Sequence, residues 1–198
     1  ASVKSRRGEL RVRVRADETL RPAQVWLPMH WGGRFLRGGG VNSLTLPAFD
    51  PADVPESNAT IIPGPLRAQN QTRYNRRLGD HAGLRNFGVN LTRIVPGGQS
   101  SYRHAHSTQD EFIWVLEGEV VMETNAGAQV LESGMCAGFP AGTGDAHRFV
   151  NNSDRDVLLL VVGDRSADDV ITYPEVDLHG RLGADSKFVF TRKDGTPY

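Results

Sequence analysis

The 198-residue chain has a single cysteine, no long apolar run and no surplus of either charge, and each absence removes a class of protein. Cys136 has no partner for an internal disulfide, which points to a reducing, cytoplasmic setting and to a small buried hydrophobe rather than a reactive thiol. Lys plus Arg and Asp plus Glu stand at 23 each, so no electrostatic footprint directs the chain to nucleic acid or to an anionic membrane. No apolar stretch approaches the roughly 18 residues of a membrane-spanning helix. The basic start, Ala-Ser-Val-Lys-Ser-Arg-Arg over 1–7, is not followed by the apolar core of a signal peptide. With no initiator Met, the sequence reads as processed or as a piece of something longer. Long amphipathic helices are missing as well, since no segment sustains a 3.6-residue period, and this argues against alternating strands and helices.

What is abundant is turn-forming residues, 22 Gly and 11 Pro, set between short β-like runs. Residues 9–14 alternate charged and apolar side chains, and 24–27 and 43–46 read as two further short strands. The Pro- and Asp-rich stretch 49–55 reads as a boundary, and the polar, Arg-rich 56–84 as mostly irregular chain with a short strand or helical turn. From residue 86 the β signal is dense: 86–95, 111–116, 119–124, 128–131, 147–151, 157–162 and 188–191 are strand candidates separated by Gly, Asn, Ser and Asp. The pattern is all-β, a sandwich or small barrel.

Two stretches carry chemistry. In the first, Gly98, His104, His106, Glu111 and Gly118 fall within 21 residues of sequence. Histidines two apart project from one face of an extended chain, and a short turn through 107–110 can return Glu111 beside them. Imidazole and carboxylate are good donors to borderline divalent ions, provided three or four of them converge. In the second stretch, Gly134, Pro140 and Gly142 shape a turn before His147, with Asn151 four residues later.

The first stretch resembles the first sequence motif of the cupins, Gly-x5-His-x-His-x4-Glu-x6-Gly, with every spacing satisfied. The second resembles the second cupin motif but has four residues between Gly142 and His147, where the common form has two. A strict spacing selects Asp145, whereas the intact His-x3-Asn spacing selects His147, which is preferred because lengthening a Gly-rich turn costs little. The resemblance extends over about 48–198, through stretches such as Arg77-Leu-Gly-Asp80, Phe139-Pro-Ala-Gly142 and Thr191-Arg-Lys-Asp-Gly-Thr-Pro-Tyr198, to a group of small bacterial single-domain cupins. It implies an all-β cupin domain, a jelly-roll barrel over 48–198, that holds one divalent metal ion (Fe, Mn, Ni, Zn, Cu or Co) through His104, His106, Glu111 and His147.

The segment 1–47 is different. Val25-Trp-Leu-Pro-Met-His30-Trp31 and Gly38-Gly-Gly-Val-Asn42-Ser-Leu-Thr-Leu-Pro47 resemble the C-terminal tail of the molybdopterin-dinucleotide-binding domain of nitrate reductases. So short a piece of such a domain cannot enclose the cofactor. It is expected to be an N-terminal β extension, a fusion remnant, or part of a longer reductase–cupin fusion.

Strand parity places Ile113 and Val115 inside the barrel with Glu111, and Phe149 with His147, while Phe112 and Trp114 face outward. Those inner residues, together with Arg93 and Tyr102 as candidates for an anionic group, form the expected substrate pocket, although a surface or packing role weighs against each of Arg93, Tyr102, Arg103 and Arg148. Four protein ligands on a six-coordinate ion leave two open positions, which favours a metal-dependent enzyme acting on a small polar molecule, a dioxygenase first and a lyase or isomerase next. No general base is identifiable, and this keeps a non-catalytic cupin that binds or senses a small ligand or metal as the alternative. Outward Phe112 and Trp114 favour a homodimer.

Overall fold

In the computed structural model, residues 2–5, 8–11, 49–183 and 187–198 are described. The chain divides into two compact units, 1–50 and 51–198. In the first, β1 (Ser2–Ser5) pairs antiparallel with β2 (Gly8–Arg11), from Ser2↔Arg11 to Ser5↔Gly8; β2 takes in the first three residues of the alternating stretch 9–14, the rest of which lies outside the described residues. The strands expected at 24–27 and 43–46 lie outside the described residues.

The second unit is built of short strands: β3 (Glu56–Ser57), β4 (Arg73–Arg76), β5 (Phe87–Ile94), β6 (Ala105–His106), β7 (Glu111–Glu117), β8 (Glu119–Thr124), β9 (Gly127–Glu132), β10 (Cys136–Phe139), β11 (Arg148–Val150), β12 (Val157–Asp164), β13 (Val170–Tyr173), β14 (Leu178–Leu182) and β15 (Phe188–Thr191), with one helical turn, α1 (Leu78–His81). They form a six-stranded sheet in the order β10-β7-β12-β5-β4-β3, a three-stranded sheet β11-β8-β9 and a four-stranded sheet β15-β14-β13-β6. The pairing within them is antiparallel, and no helix among the described residues is long and apolar enough to cross a membrane.

Alternation along β7 sets the inside: Ile113 and Val115 are buried, whereas Phe112 and Trp114 are 41% and 44% exposed. Register extends that inner row across the sheet, with Val115 opposite Leu159, Leu159 opposite Thr92, and Thr92 opposite Asn75. Leu131 and Val120 from the three-stranded sheet close over Ile94, Val115, Val157 and Leu159, with Phe149 among them. Each fully buried side chain of this kind contributes roughly 1.5–3 kcal/mol relative to exposure. A second cluster joins Ile62, Tyr102, Ile171, Tyr173 and Leu178.

Two glycines of the first motif have steric reasons. A Cβ on Gly98 would lie 2.9 Å from Thr72 and from the Val95 carbonyl oxygen, so only glycine lets the chain pass there. Gly118 turns β7 into β8 at φ 84°, the left-handed region that glycine adopts without penalty. The motif asparagine is also structural. Asn151 is fully buried, donates to the carbonyls of Ile94 and Arg155, and its backbone N–H bonds to the Gly98 carbonyl.

One expectation is corrected. Cys136 is exposed rather than buried, because on the edge strand β10 it pairs with Trp114 and shares that residue's outward face. The stretch 56–84 is mostly irregular, as expected, with the short strands β3 and β4 and the helical turn α1. The strands β6, β10, β13 and β14 carry only two to five residues each, too short for their sequences to show a period.

Candidate metal centre

The two motif stretches lie side by side. Residues 98–104 run antiparallel to 147–151, bonded through Gly98 and Asn151, through Ser100 N–H to the Phe149 carbonyl (2.8 Å), and through a reciprocal pair between His104 and His147 (3.1 and 2.8 Å). The second histidine therefore arrives beside the first through backbone pairing. Glu111 enters from the start of β7, opposite Phe139 of β10. One donor atom each from His104, Glu111 and His147 lies within 4.8 Å of the others, a set of two imidazole nitrogens and a carboxylate oxygen.

The longer turn after Gly142 places His147 in this group and takes Asp145 away from it. Gly142 N–H bonds to the His106 carbonyl, and Asp145 accepts from the backbone N–H of Asn125 in the turn between β8 and β9 (2.9 Å). Asp110 also holds the turn, accepting from Ala141 N–H at 2.8 Å.

The orientation of each ring is fixed. The Nδ1–H of His104 donates to the Tyr102 carbonyl at 2.9 Å, which leaves Nε2 as the donor toward Glu111 and His147. His147 Nε2–H donates to Glu111 Oε2 at 2.7 Å, and its ring lies flat on Phe139 with centroids 3.5 Å apart. Its Nδ1 is buried without a hydrogen-bond partner, so the stack on Phe139 and whatever meets Nε2 hold the ring. His106 is not one of the three convergent donors. Its ring stands edge-on to His104 at 5.2 Å, lines the same cavity, and gives its Nδ1–H to the Asp169 carboxylate at 2.6 Å.

Protonation favours ligation. Burial lowers the His104 imidazole to about 4, although the charge of Glu111 pulls the other way, so the ring is neutral at pH 7. Burial raises Glu111, but the hydrogen bond from His147 and the three neighbouring imidazoles outweigh it and hold the carboxyl at about 2. Neutral imidazole and ionised carboxylate are the forms a divalent ion requires, so His104 and Glu111 stand ready for such an ion, whereas His147 would ligate through Nε2 only after shifting that proton to the unpartnered Nδ1.

The site opens into a cavity of about 190 Å³ that spans the inner face of the six-stranded sheet. Of the expected pocket residues, Ile113 and Phe149 line it and three lie elsewhere. Arg93 is on the opposite face of β5, paired with Glu56 (2.7 Å) and Asp156 (2.8 Å), and the Glu56 hydrogen bond raises its pKa further. Tyr102 is buried in the second cluster with its hydroxyl on the Leu66 carbonyl, and Val115 is sealed in the main core. Arg103 and Arg148 are both held by Glu175.

Four residues that sequence reasoning passed over shape the site. Phe139 supports His147, and Tyr173 stacks against His104 with centroids 5.8 Å apart. Arg73 lines the cavity from β4. Asp169 is fully buried and accepts from His106 and from the backbone N–H groups of Ser107 (3.1 Å) and Thr108 (3.0 Å). Burial alone would raise its carboxyl, but those bonds keep it low and ionised. Asp168, the one non-glycine residue at positive φ (60°) among the described residues, turns the chain just before it.

A jelly-roll assembly of short antiparallel sheets with a His-Glu-His group at its mouth defines the class: the chain belongs to the cupin superfamily, and residues 90–163 match the Cupin domain family. Among solved structures it is similar to a sugar phosphate isomerase of the cupin superfamily from Silicibacter pomeroyi DSS-3, at 41% identity, covering 77% of this chain and 96% of that one with a TM-score of 0.73. A proposed sugar phosphate isomerase from Acidithiobacillus ferrooxidans ATCC 23270 is 28% identical, over 64% of this chain and 80% of that one, at a TM-score of 0.57. The polyketide cyclase RemF from Streptomyces resistomycificus, 21% identical over 61% of this chain and 80% of its own with a TM-score of 0.51, shares the fold alone. Residues 1–60 match the Molydopterin dinucleotide binding domain family, and 63 residues are 36% identical to a nitrate reductase of Klebsiella oxytoca. That match takes in 31% of this chain and spans 7% of the reductase.

Proposed function

We propose that residues 51–198 form a metal-dependent enzyme acting on a small polar molecule, with the ion held by His104, Glu111 and His147 and with His106 as a fourth ligand. The observation that carries this reading is the convergence of three donors within 4.8 Å at the wall of a cavity of about 190 Å³. A bound ion would act as a Lewis acid on a substrate carbonyl or hydroxyl oxygen. The protein's own part is orientation: Tyr102 and Asp169 fix the tautomers of His104 and His106, and Phe139 fixes the ring of His147. Thr92 donates to Asn75 Oδ1 at 2.7 Å, which leaves the Asn75 amide hydrogens as donors at the cavity wall.

Among reactions, the likeness to the Silicibacter isomerase moves isomerisation of a sugar phosphate ahead of the dioxygenase expected from open coordination positions alone. Purified protein is expected to carry close to one divalent ion per chain by elemental analysis, and His104→Ala to lose it. Turnover of aldose and ketose phosphates without oxygen uptake supports the isomerase, whereas substrate-dependent oxygen consumption supports the dioxygenase. Absence of metal, or metal content unchanged in His104→Ala, overturns the proposal.

A further inference from the structure

We infer that the molecule bound in this cavity is an anion, a carboxylate or a phosphate, and that the guanidinium of Arg73 receives its charge at the cavity wall. Arg76 is satisfied by the carbonyls of Ala52 and Val54 and lies near Glu56. Arg93 is satisfied by Glu56 and Asp156, Arg148 is paired with Glu123 and Glu175, and Arg103 is paired with Glu175 and donates to the Thr124 carbonyl. Arg73 differs. Among the described residues no carboxylate or carbonyl accepts from it, yet it lies on the inner face of β4, where register sets it opposite Ile94 and the cavity takes it into its wall.

Arg73 is half-buried, and a guanidinium at a cavity wall with no acceptor of its own keeps its donors free for a ligand. Burial depresses its pKa, with Glu111 and Tyr173 the groups that resist the shift, so the guanidinium and the candidate metal ligands feel one another across the same space. Glu111 cannot be the intended partner, because its Oε2 is taken by His147 and its charge is what an ion would neutralise. Asp169 is likewise committed to His106, Ser107 and Thr108. A divalent ion would therefore leave positive charge in excess around the cavity, and an anionic ligand restores the balance. Arg73 offers a planar fork of donors that matches a carboxylate or phosphate, and the amide of Asn75 stands on the same strand face two residues on.

The excess of positive charge rests on the metal-dependent reading, but Arg73 can be tested apart from it. Inorganic phosphate and acetate are titrated by calorimetry into wild-type protein and into Arg73→Gln and Arg73→Lys, each first treated with chelator and then reloaded with Mn2+, with metal content measured throughout. Wild-type protein is expected to bind one of the two probes saturably, and the preferred probe identifies the phosphate or the carboxylate source. Arg73→Gln should weaken that binding by about tenfold or more while metal content and the circular dichroism spectrum stay unchanged, and Arg73→Lys should recover part of it. Equal binding by wild type and Arg73→Gln overturns the inference, as does the lack of saturable binding of either probe to wild type. Arg73-dependent binding in protein that takes up no metal upholds this inference and removes the metal reading. Metal uptake with Arg73-independent anion binding does the reverse.

Discussion

Two neighbouring regions under one sheet face are built on opposite rules. Around Val115, Val157 and Leu131 the inner face is sealed, apolar and without a titratable group. Around Glu111 the same sheet turns two asparagines and an arginine to the cavity, and the chain at 104–106 and 147 adds three imidazoles. The change happens within a strand, since Glu111, Ile113 and Val115 stand on one face of β7 and run from candidate donor to cavity wall to core. The sealed region holds the backbone still, and the polar region depends on that stillness for the convergence of its donors. Mutations should therefore separate the two, with stability lost in one region and ligation lost in the other.

The largest expected effect on stability comes from the sealed side. Leu131 is 4% exposed, packs in the main cluster from β9 and does not line the cavity. Leu131→Ala should destabilise by about 2–5 kcal/mol, read from the urea midpoint at constant m-value. Metal content per folded chain should stay at the wild-type level below the transition. Loss of metal from Leu131→Ala while it is still folded would show that the two regions are not separable.

Between pH 6.5 and 4.5 acid should act on the polar side, before the lowered carboxyls elsewhere, such as Glu56, take up protons. His104 titrates at about 4 in the folded protein against 6.5 when free, so between pH 6.5 and 4 the unfolded chain binds the extra proton. Its neutral form thus favours the fold fully above pH 6.5, and the advantage is lost as pH falls toward 4, at up to about 1.4 kcal/mol per pH unit. Glu111, lowered from 4.5 to about 2, adds a loss of the same sign below pH 4.5. Urea midpoints of chelator-treated protein measured from pH 7.5 to 4 should fall accordingly, and His104→Gln should flatten the segment above pH 4.5. An unchanged slope in His104→Gln would refute the assignment.

The same contrast explains what the sequence shows and what it hides. The candidate donors His104 and Glu111 are legible because they are local, fixed with His106 relative to one another by a turn and a strand parity, and the inward side of Ile113 and Val115 follows from that parity. Arg93 misled because β5 inverts the usual pattern, burying Thr92 on its inner face while the apolar alternates Phe87, Val89 and Leu91 share the outer face with Arg93. Arg73 and Asn75 were obscured in the same way, since every residue of β4 is polar or amphipathic and half-buried. Asp169 carries no local signal at all. It stands 63 residues from His106, and only the pairing of β6 with β13 brings the two together. His147 was legible through Asn151, whose burial anchors the strand whatever the length of the turn before it.

The smallest expected effect is the most informative about the fourth ligand. In the wild type an ionised Asp169 can only accept, so His106 carries its proton on Nδ1 and presents a bare Nε2 to the cavity. In Asp169→Asn the side-chain oxygen can keep the Ser107 and Thr108 N–H bonds, so the loop should hold its shape. The amide nitrogen, however, would now face Nδ1 as a donor, and the imidazole would answer by moving its proton to Nε2. A protonated Nε2 cannot ligate, and affinity for Mn2+ or Zn2+ should fall about 10–100-fold with a urea midpoint close to wild type. The result also decides the coordination number. Unchanged affinity would mean that His106 stays outside the ion's shell and that His104, Glu111 and His147 hold it alone, with three positions of an octahedral ion left for substrate and water.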